Sequence, residues 1–183
     1  MQHNINIKSI MDIKSNKIAK KKLLFICLGN ICRSPAAHAV MQKLVDDKGL
    51  TSFFEIDSAG IGNWHIGELP DKRMRIQGAK RNYNIDHHAR QFDAKNDFAY
   101  FDAIIVMDDE NYKNIIAQTI TNSDKMKVMR MADYFIKYKG TSSVPDPYYG
   151  GVTDFDYALD LIEDGCEGLL QQLNTLIPQY FFL

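Results

Sequence analysis

Cys27, Gly29, Asn30, Arg33 and Ser34 fall in one short stretch, Cys27-Leu28-Gly29-Asn30-Ile31-Cys32-Arg33-Ser34, and each type there has a use in handling an oxyanion. A short loop that leaves a strand and enters a helix can curl its backbone N–H groups around one point. The helix adds free first-turn donors and the positive end of its dipole. Gly29 and Asn30 are types that accept positive φ, which such a curl usually requires. Cys27, at the strand end, would lie in a positive potential that favours the nucleophilic thiolate. Arg33 offers a planar fork for two equatorial oxygens of a phosphoryl group. Ser34 can cap the helix and donate its hydroxyl toward the thiolate. Together these types, in this order between strand and helix, predict nucleophilic attack on a phosphoryl group. The loop supplies no proton for a leaving alkoxide, so an acid must come from elsewhere. Asp146 is the candidate, because Pro147 after it restricts its backbone to extended or turn conformations that hold a carboxyl over a pocket.

Positioning such a loop requires a buried strand before it and a helix after it. The apolar run Leu23 to Cys27, bounded by lysines and by Gly29-Asn30, predicts a strand covered on both faces. Ser34-Pro35 then opens a helix whose apolar face carries Ala36, Ala37, Val40, Met41, Leu44 and Val45, stopping near Gly49. Phe53 to Ile56 reads as a second strand, with Ser58-Ala59-Gly60 turning out of it. Asp71 to Asn82 and Glu110 to Thr119 read as helices, Ala103 to Met107 and Lys127 to Met131 as further strands. Thr141 to Gly151, with two prolines and two glycines, must be loop. A last helix begins at Asp154 and turns Ala158, Leu161, Ile162, Cys166, Leu169, Leu170 and Leu173 inward. Strands alternating with helices predict an α/β fold of three layers, a parallel sheet between helices. In such a sheet ligands sit at the carboxyl ends of the strands, which is where the Cys27 to Ser34 turn falls.

The length of 183 residues suits one domain with one sizeable core. With 22 basic against 23 acidic side chains there is no global positive field for nucleic acid. Residues 1–22 are nonetheless net +5, leaving −6 on the rest of a chain whose total is −1. Residues 1–21 therefore read as a basic, mobile extension, residues 22–177 as the domain, and residues 178–183 as a short aromatic tail. The apolar runs are too short to span a bilayer. Three cysteines make no disulfide framework and fit a reducing, cytoplasmic setting. No HExxH, no paired CxxC and no GxxxxGK[ST] occurs, so neither a metal, a cofactor nor a nucleotide loop is expected.

The string Cys27 to Pro35 resembles the signature loop of the low-molecular-weight protein tyrosine phosphatases. Asp57-Ser58-Ala59-Gly60, His87-His88-Ala89-Arg90, Met107-Asp108 and Asp146-Pro147-Tyr148-Tyr149 extend the resemblance over about residues 22–177. It implies a four-stranded parallel sheet of flavodoxin-like form and metal-free action on phosphotyrosine proteins, with inorganic phosphate as product. It also implies that Asp146 lies on the acid loop, that Trp64 and Tyr148 flank the pocket mouth, and that Leu28 and Ile31 form an apolar slot for the substrate ring. Asn30, Ser58 and His87 resemble the group that braces the phosphate loop. Cys32, near Cys27 in sequence, resembles the adjacent cysteine that in eukaryotic members protects the nucleophile by a disulfide. Two neighbouring chemistries share the loop. Arsenate reductases need further relay cysteines, and here only Cys166 lies outside the loop. Arginine phosphatases have threonine where this chain has Ile31.

Overall fold

The computed structural model describes residues 19–174, so the basic extension up to residue 18 and the tail 178–183 lie outside the described residues. Strand β1, Lys21–Cys27, begins inside the lysine run that the sequence assigns to the extension. Lys21 and Lys22 belong there because β1 pairs with β2, Phe54–Gly60, from Lys21 onward. Between them runs helix α1, Arg33–Asp47. The chain continues through α2 (Lys72–Lys80), α3 (Ala94–Tyr100) and β3 (Ala103–Val106). Then follow α4 (Asp109–Ile116), α5 (Asn122–Lys127), β4 (Val128–Arg130) and the long α6 (Val152–Asn174).

The four strands are all parallel and lie in the order β2-β1-β3-β4. The expected α/β architecture with a four-stranded parallel sheet is therefore present. Strand periodicity sorts the core into two layers. Leu23, Phe25 and Cys27 face α1 and α6, in one cluster with Ala36, Val40 and Leu161. Leu24 and Ile26 face the other way, against Phe92, Phe98 and Ile115. The chain order reverses beside β1, so the crevice at the carboxyl ends of β1 and β3 is where a ligand is expected.

Several boundaries differ from the sequence reading. Ser58-Ala59-Gly60 is strand, because Phe25, Ile26 and Cys27 pair with it along β1. Gly60 is required there by close approach: a Cβ on it would stand 2.9 Å from the Asn30 nitrogen and the Gly29 carbonyl carbon. Helix α1 starts at Arg33 with Cys32 at its N-cap, and no side chain caps it. Ser34 is thus not a cap. The last helix starts before Asp154, whose carboxylate turns back to accept from the Gly151 N–H at 2.7 Å. Two short helices were not foreseen, α3 capped by Asp93 and α5 closed by a capping box between Thr121 and Asp124. The second of these takes up Lys127, so β4 begins at Val128. Among the described residues, no helix is long and apolar enough to cross a membrane.

Candidate active site

The uncapped start of α1 carries the site. The first-turn N–H groups of a helix have no intrahelical partner; Pro35 has none to offer, and no side chain caps those of Cys32, Arg33 and Ser34, so these three are open to an anion. The loop before it turns through Asn30 at φ 55°, whereas Gly29 stays outside the left-handed region. Of the two residues expected to supply positive φ, only asparagine does.

Asn30 is fully buried and works as the loop's brace. Its Nδ2 donates to Ser34 Oγ at 2.9 Å and to Ser58 Oγ at 3.0 Å, and its Oδ1 accepts from the Arg90 N–H at 2.9 Å. Ser34, so anchored, places its hydroxyl 3.0 Å from Cys27 Sγ. A hydroxyl at that distance can donate to a thiolate and hold it on the loop axis. Asn30 thus joins Ser34 and Ser58, two of the residues around the loop, through one amide. His87 joins them only indirectly: it reaches the backbone of Ser58, and its Nε2 lies 3.7 Å from Asp57 Oδ1.

Arg33 is the largest fully buried side chain, 2% exposed, and its charge is matched by carboxylates. Nη1 donates to Asp108 Oδ2 at 2.5 Å and to the Val144 carbonyl at 3.0 Å, while Nη2 donates to Asp146 Oδ2 at 2.5 Å. Burial opposes its charge, but Cys27, Asp146 and Asp108 outweigh that and raise its pKa above the ordinary value. A guanidinium has five donors. Nη1 uses both of its hydrogens and Nη2 one, and Nε is buried without a partner in the protein. Two donors thus remain for phosphoryl oxygens.

Asp146 holds a different position from Arg33. Its side chain is 39% exposed, and the Tyr148 N–H donates to its Oδ1 at 3.2 Å. From the loop before Pro147 the residue lines the cleft that also holds Cys27 and Arg33. The cleft is lined by Cys27, Leu28, Gly29, Ile31, Cys32 and Arg33 together with Trp64, Asp146 and Tyr148. Trp64, 64% exposed, covers Gly62, where a Cβ would collide with the indole ring. Cys27 and Cys32 are both buried and free, and burial followed by the charge of Cys27 pushes the Cys32 thiol well above its ordinary range.

Four participants were given no role in the sequence reading, although Asp108 and Tyr149 stood in its motifs. His65 and Tyr149 also line the cleft. Asp108 anchors Arg33 and caps α4, accepting from the Asn111 N–H at 2.6 Å; an aspartate just past the carboxyl end of β3 was the available signal. Arg73 straps the acid loop down. Its Nη2 donates to the Tyr148 carbonyl at 2.9 Å and to Asp71 at 2.8 Å, and the Asp71 N–H donates to the Ile31 carbonyl at 2.7 Å. The acid loop and the phosphate loop are therefore tied through one ion pair, which no local spacing announces.

A family model described as low molecular weight phosphotyrosine protein phosphatase matches residues 22–177. A Synechocystis protein provisionally named a low molecular weight protein-tyrosine-phosphatase is 48% identical over 153 residues, covering 84% of this chain and 96% of its own. Among solved structures, a protein tyrosine phosphatase of Entamoeba histolytica superposes with a TM-score of 0.82 at 43% identity, over 85% of this chain and 98% of that one. A structure titled as a Drosophila arginine phosphatase also superposes, with a TM-score of 0.76 at 33% identity, over 83% and 97% of the two chains.

Proposed function

We propose that this chain, which belongs to the low molecular weight phosphotyrosine protein phosphatase family, hydrolyses phosphotyrosine monoesters with Cys27 as nucleophile and Asp146 as general acid. The observation that carries this reading is the convergence of Cys27, Arg33 and Asp146 in one cleft, with the uncapped α1 behind it. A phosphate dianion entering the loop meets the α1 amides and the two unused donors of Arg33. It competes with Asp146 for the guanidinium, which frees the carboxyl to face the leaving oxygen. The Cys27 thiolate attacks phosphorus in line, the P–O bond to the tyrosine ring breaks, and protonated Asp146 gives its proton to the phenolate. Water then attacks the cysteinyl-phosphate while Asp146 takes a proton, releasing inorganic phosphate and the thiolate. Positioning and charge stabilisation supply most of the acceleration.

The aromatic rim and the apolar Ile31 favour a flat ring over a guanidinium. The Drosophila relative keeps a second reading open, arginine phosphatase activity on the same loop. A turnover assay on phosphotyrosine, phosphoarginine and arsenate separates them: hydrolysis of phosphotyrosine with much slower turnover of the others is expected, and preference for phosphoarginine would reverse the assignment. Asp146→Ala should still bind phosphate while kcat on phosphotyrosine falls about 10²–10⁴-fold. An unchanged kcat would remove Asp146 from the acid role. Phosphotyrosine proteins are the partners this reading implies, with no nucleic acid or membrane partner. Three free cysteines support a reducing, cytoplasmic location.

A further inference from the structure

Away from the cleft, three side chains that are distant in sequence converge. His38 comes from α1, Asp57 from β2 and His87 from the segment before Arg90. One donor atom from each lies within 4.8 Å of the other two. Both histidines bring a ring nitrogen that is buried and has no hydrogen-bond partner, His38 Nδ1 and His87 Nε2. Buried polar atoms are nearly always satisfied, so two adjacent orphans require an explanation. Neither ring lines the cleft described above.

We propose that His38, Asp57 and His87 form a binding site for a divalent transition-metal ion of the zinc class. Two imidazoles and a carboxylate are the ligand set such an ion prefers, and they leave a fourth position for water. Bonds of about 2.0–2.2 Å place tetrahedral ligand atoms roughly 3.3 Å apart. Modest side-chain rotation brings the three atoms to that spacing. The imidazole rings already stand side by side, with centroids 5.1 Å apart. Burial, then the charge of His87, holds His38 down at about pKa 4. Burial also lowers His87, despite Asp57 beside it.

Asp57 has capacity for a third bond. Its Oδ1 accepts only from the Ser58 N–H at 2.7 Å and keeps a lone pair, whereas its Oδ2 is taken by Arg90 at 2.8–2.9 Å. The positive charge of Arg90 is shared with Asp97, 3.0 Å away. A second cavity opens on His38 and His87, and Asp46, Asp47 and Asp86 line it, giving a cation an acidic approach. Its one lysine, Lys43, is paired with Asp47 at 2.9 Å. The site also touches the phosphate loop's brace, since Asp57 precedes Ser58 and grips Arg90, and both of these hold Asn30.

The test is made in a Cys27→Ser background, which removes the one thiolate that would bind zinc in the cleft. Full-length protein, stripped with EDTA, is titrated with Co2+ and then Zn2+. One equivalent of Co2+ should bind with visible bands of nitrogen and oxygen ligation and no thiolate charge-transfer band, Zn2+ should displace it, and Zn2+ should raise Tm. His38→Gln and His38→Ala in that background should each lose at least about 10-fold in affinity, together with the Tm shift. With Cys27 intact and EDTA present, His38→Gln should hydrolyse an aryl phosphate within about 2-fold of the parent, because His38 lies outside the cleft. Undiminished metal binding by both His38 variants, a sulfur-ligated cobalt spectrum, or no binding at millimolar metal would overturn the site. None of these outcomes bears on the phosphatase reading.

Discussion

Serine in place of Cys27 should eliminate turnover while leaving the fold in place. The exchange keeps the size of a side chain that is only 3% exposed, and Ser34 Oγ at 3.0 Å can hydrogen-bond to a hydroxyl as well as to sulfur. The brace from Asn30 to Ser34 and Ser58 does not involve the sulfur at all. What is lost is the nucleophile, since a serine hydroxyl has no general base beside it here. The loss in kcat should be on the order of 10⁶. Inorganic phosphate should still bind within about 10-fold of the parent, because the helix amides and Arg33 carry that affinity. Stopped assays on phosphotyrosine, acid-quench trapping of a phosphoprotein from the parent only, and calorimetry with phosphate check the three parts. Turnover above about a thousandth of the parent rate would require a different attacking group.

How much of this was readable before any coordinates depended on how local the signal was. The phosphate loop was legible because strand, turn and helix are contiguous there, and β1 declared itself by an unbroken apolar run. The end of β2 was misread because Ser58-Ala59-Gly60 has turn composition. Those small residues are there to let β2 lie against the phosphate loop, which is a demand of packing and not of turn geometry. The helices α3 and α5 are too short to show periodicity. Their signals were instead the caps at Asp93 and Thr121, the second with aspartate three residues on. Ser34 was expected both to cap α1 and to reach Cys27; it lies 3.0 Å from the sulfur but caps nothing, so the helix start stays open. That departure from a local rule falls at the site, where function competes with local stability. Asp108 stood in a recognisable motif but its grip on Arg33 did not show there, and Arg73 and the His38–Asp57–His87 cluster gave no local signal; each depends on partners that only the tertiary fold brings together.

Arg33→Lys gives the other large effect, because lysine keeps the charge and loses the fork. Arg33 divides its five donors among tasks that one ammonium cannot perform together: Asp108 and the Val144 carbonyl on Nη1, Asp146 on Nη2, and a partnerless Nε beside them. The anchors to Asp108 and Val144 fix the plane of the guanidinium, so the remaining donors are aimed before substrate arrives and need no reorganisation as charge develops. A lysine satisfying Asp108 would leave the phosphoryl oxygens unattended, and one reaching the oxygens would leave Asp108 unpaired. Either way kcat on an aryl phosphate should fall by about 10³–10⁵, the range that a transition-state arginine contributes in phosphoryl transfer. Competitive inhibition by phosphate should weaken in parallel. Asp108→Asn should do less damage, since its amide oxygen can still accept from Nη1, and a fall in kcat well short of that of Arg33→Lys is expected. Should Asp108→Asn prove as damaging as Arg33→Lys, the carboxylate would be needed for more than holding the guanidinium in plane. A lysine variant within about 10-fold of the parent would show that charge alone suffices and that the fork is dispensable.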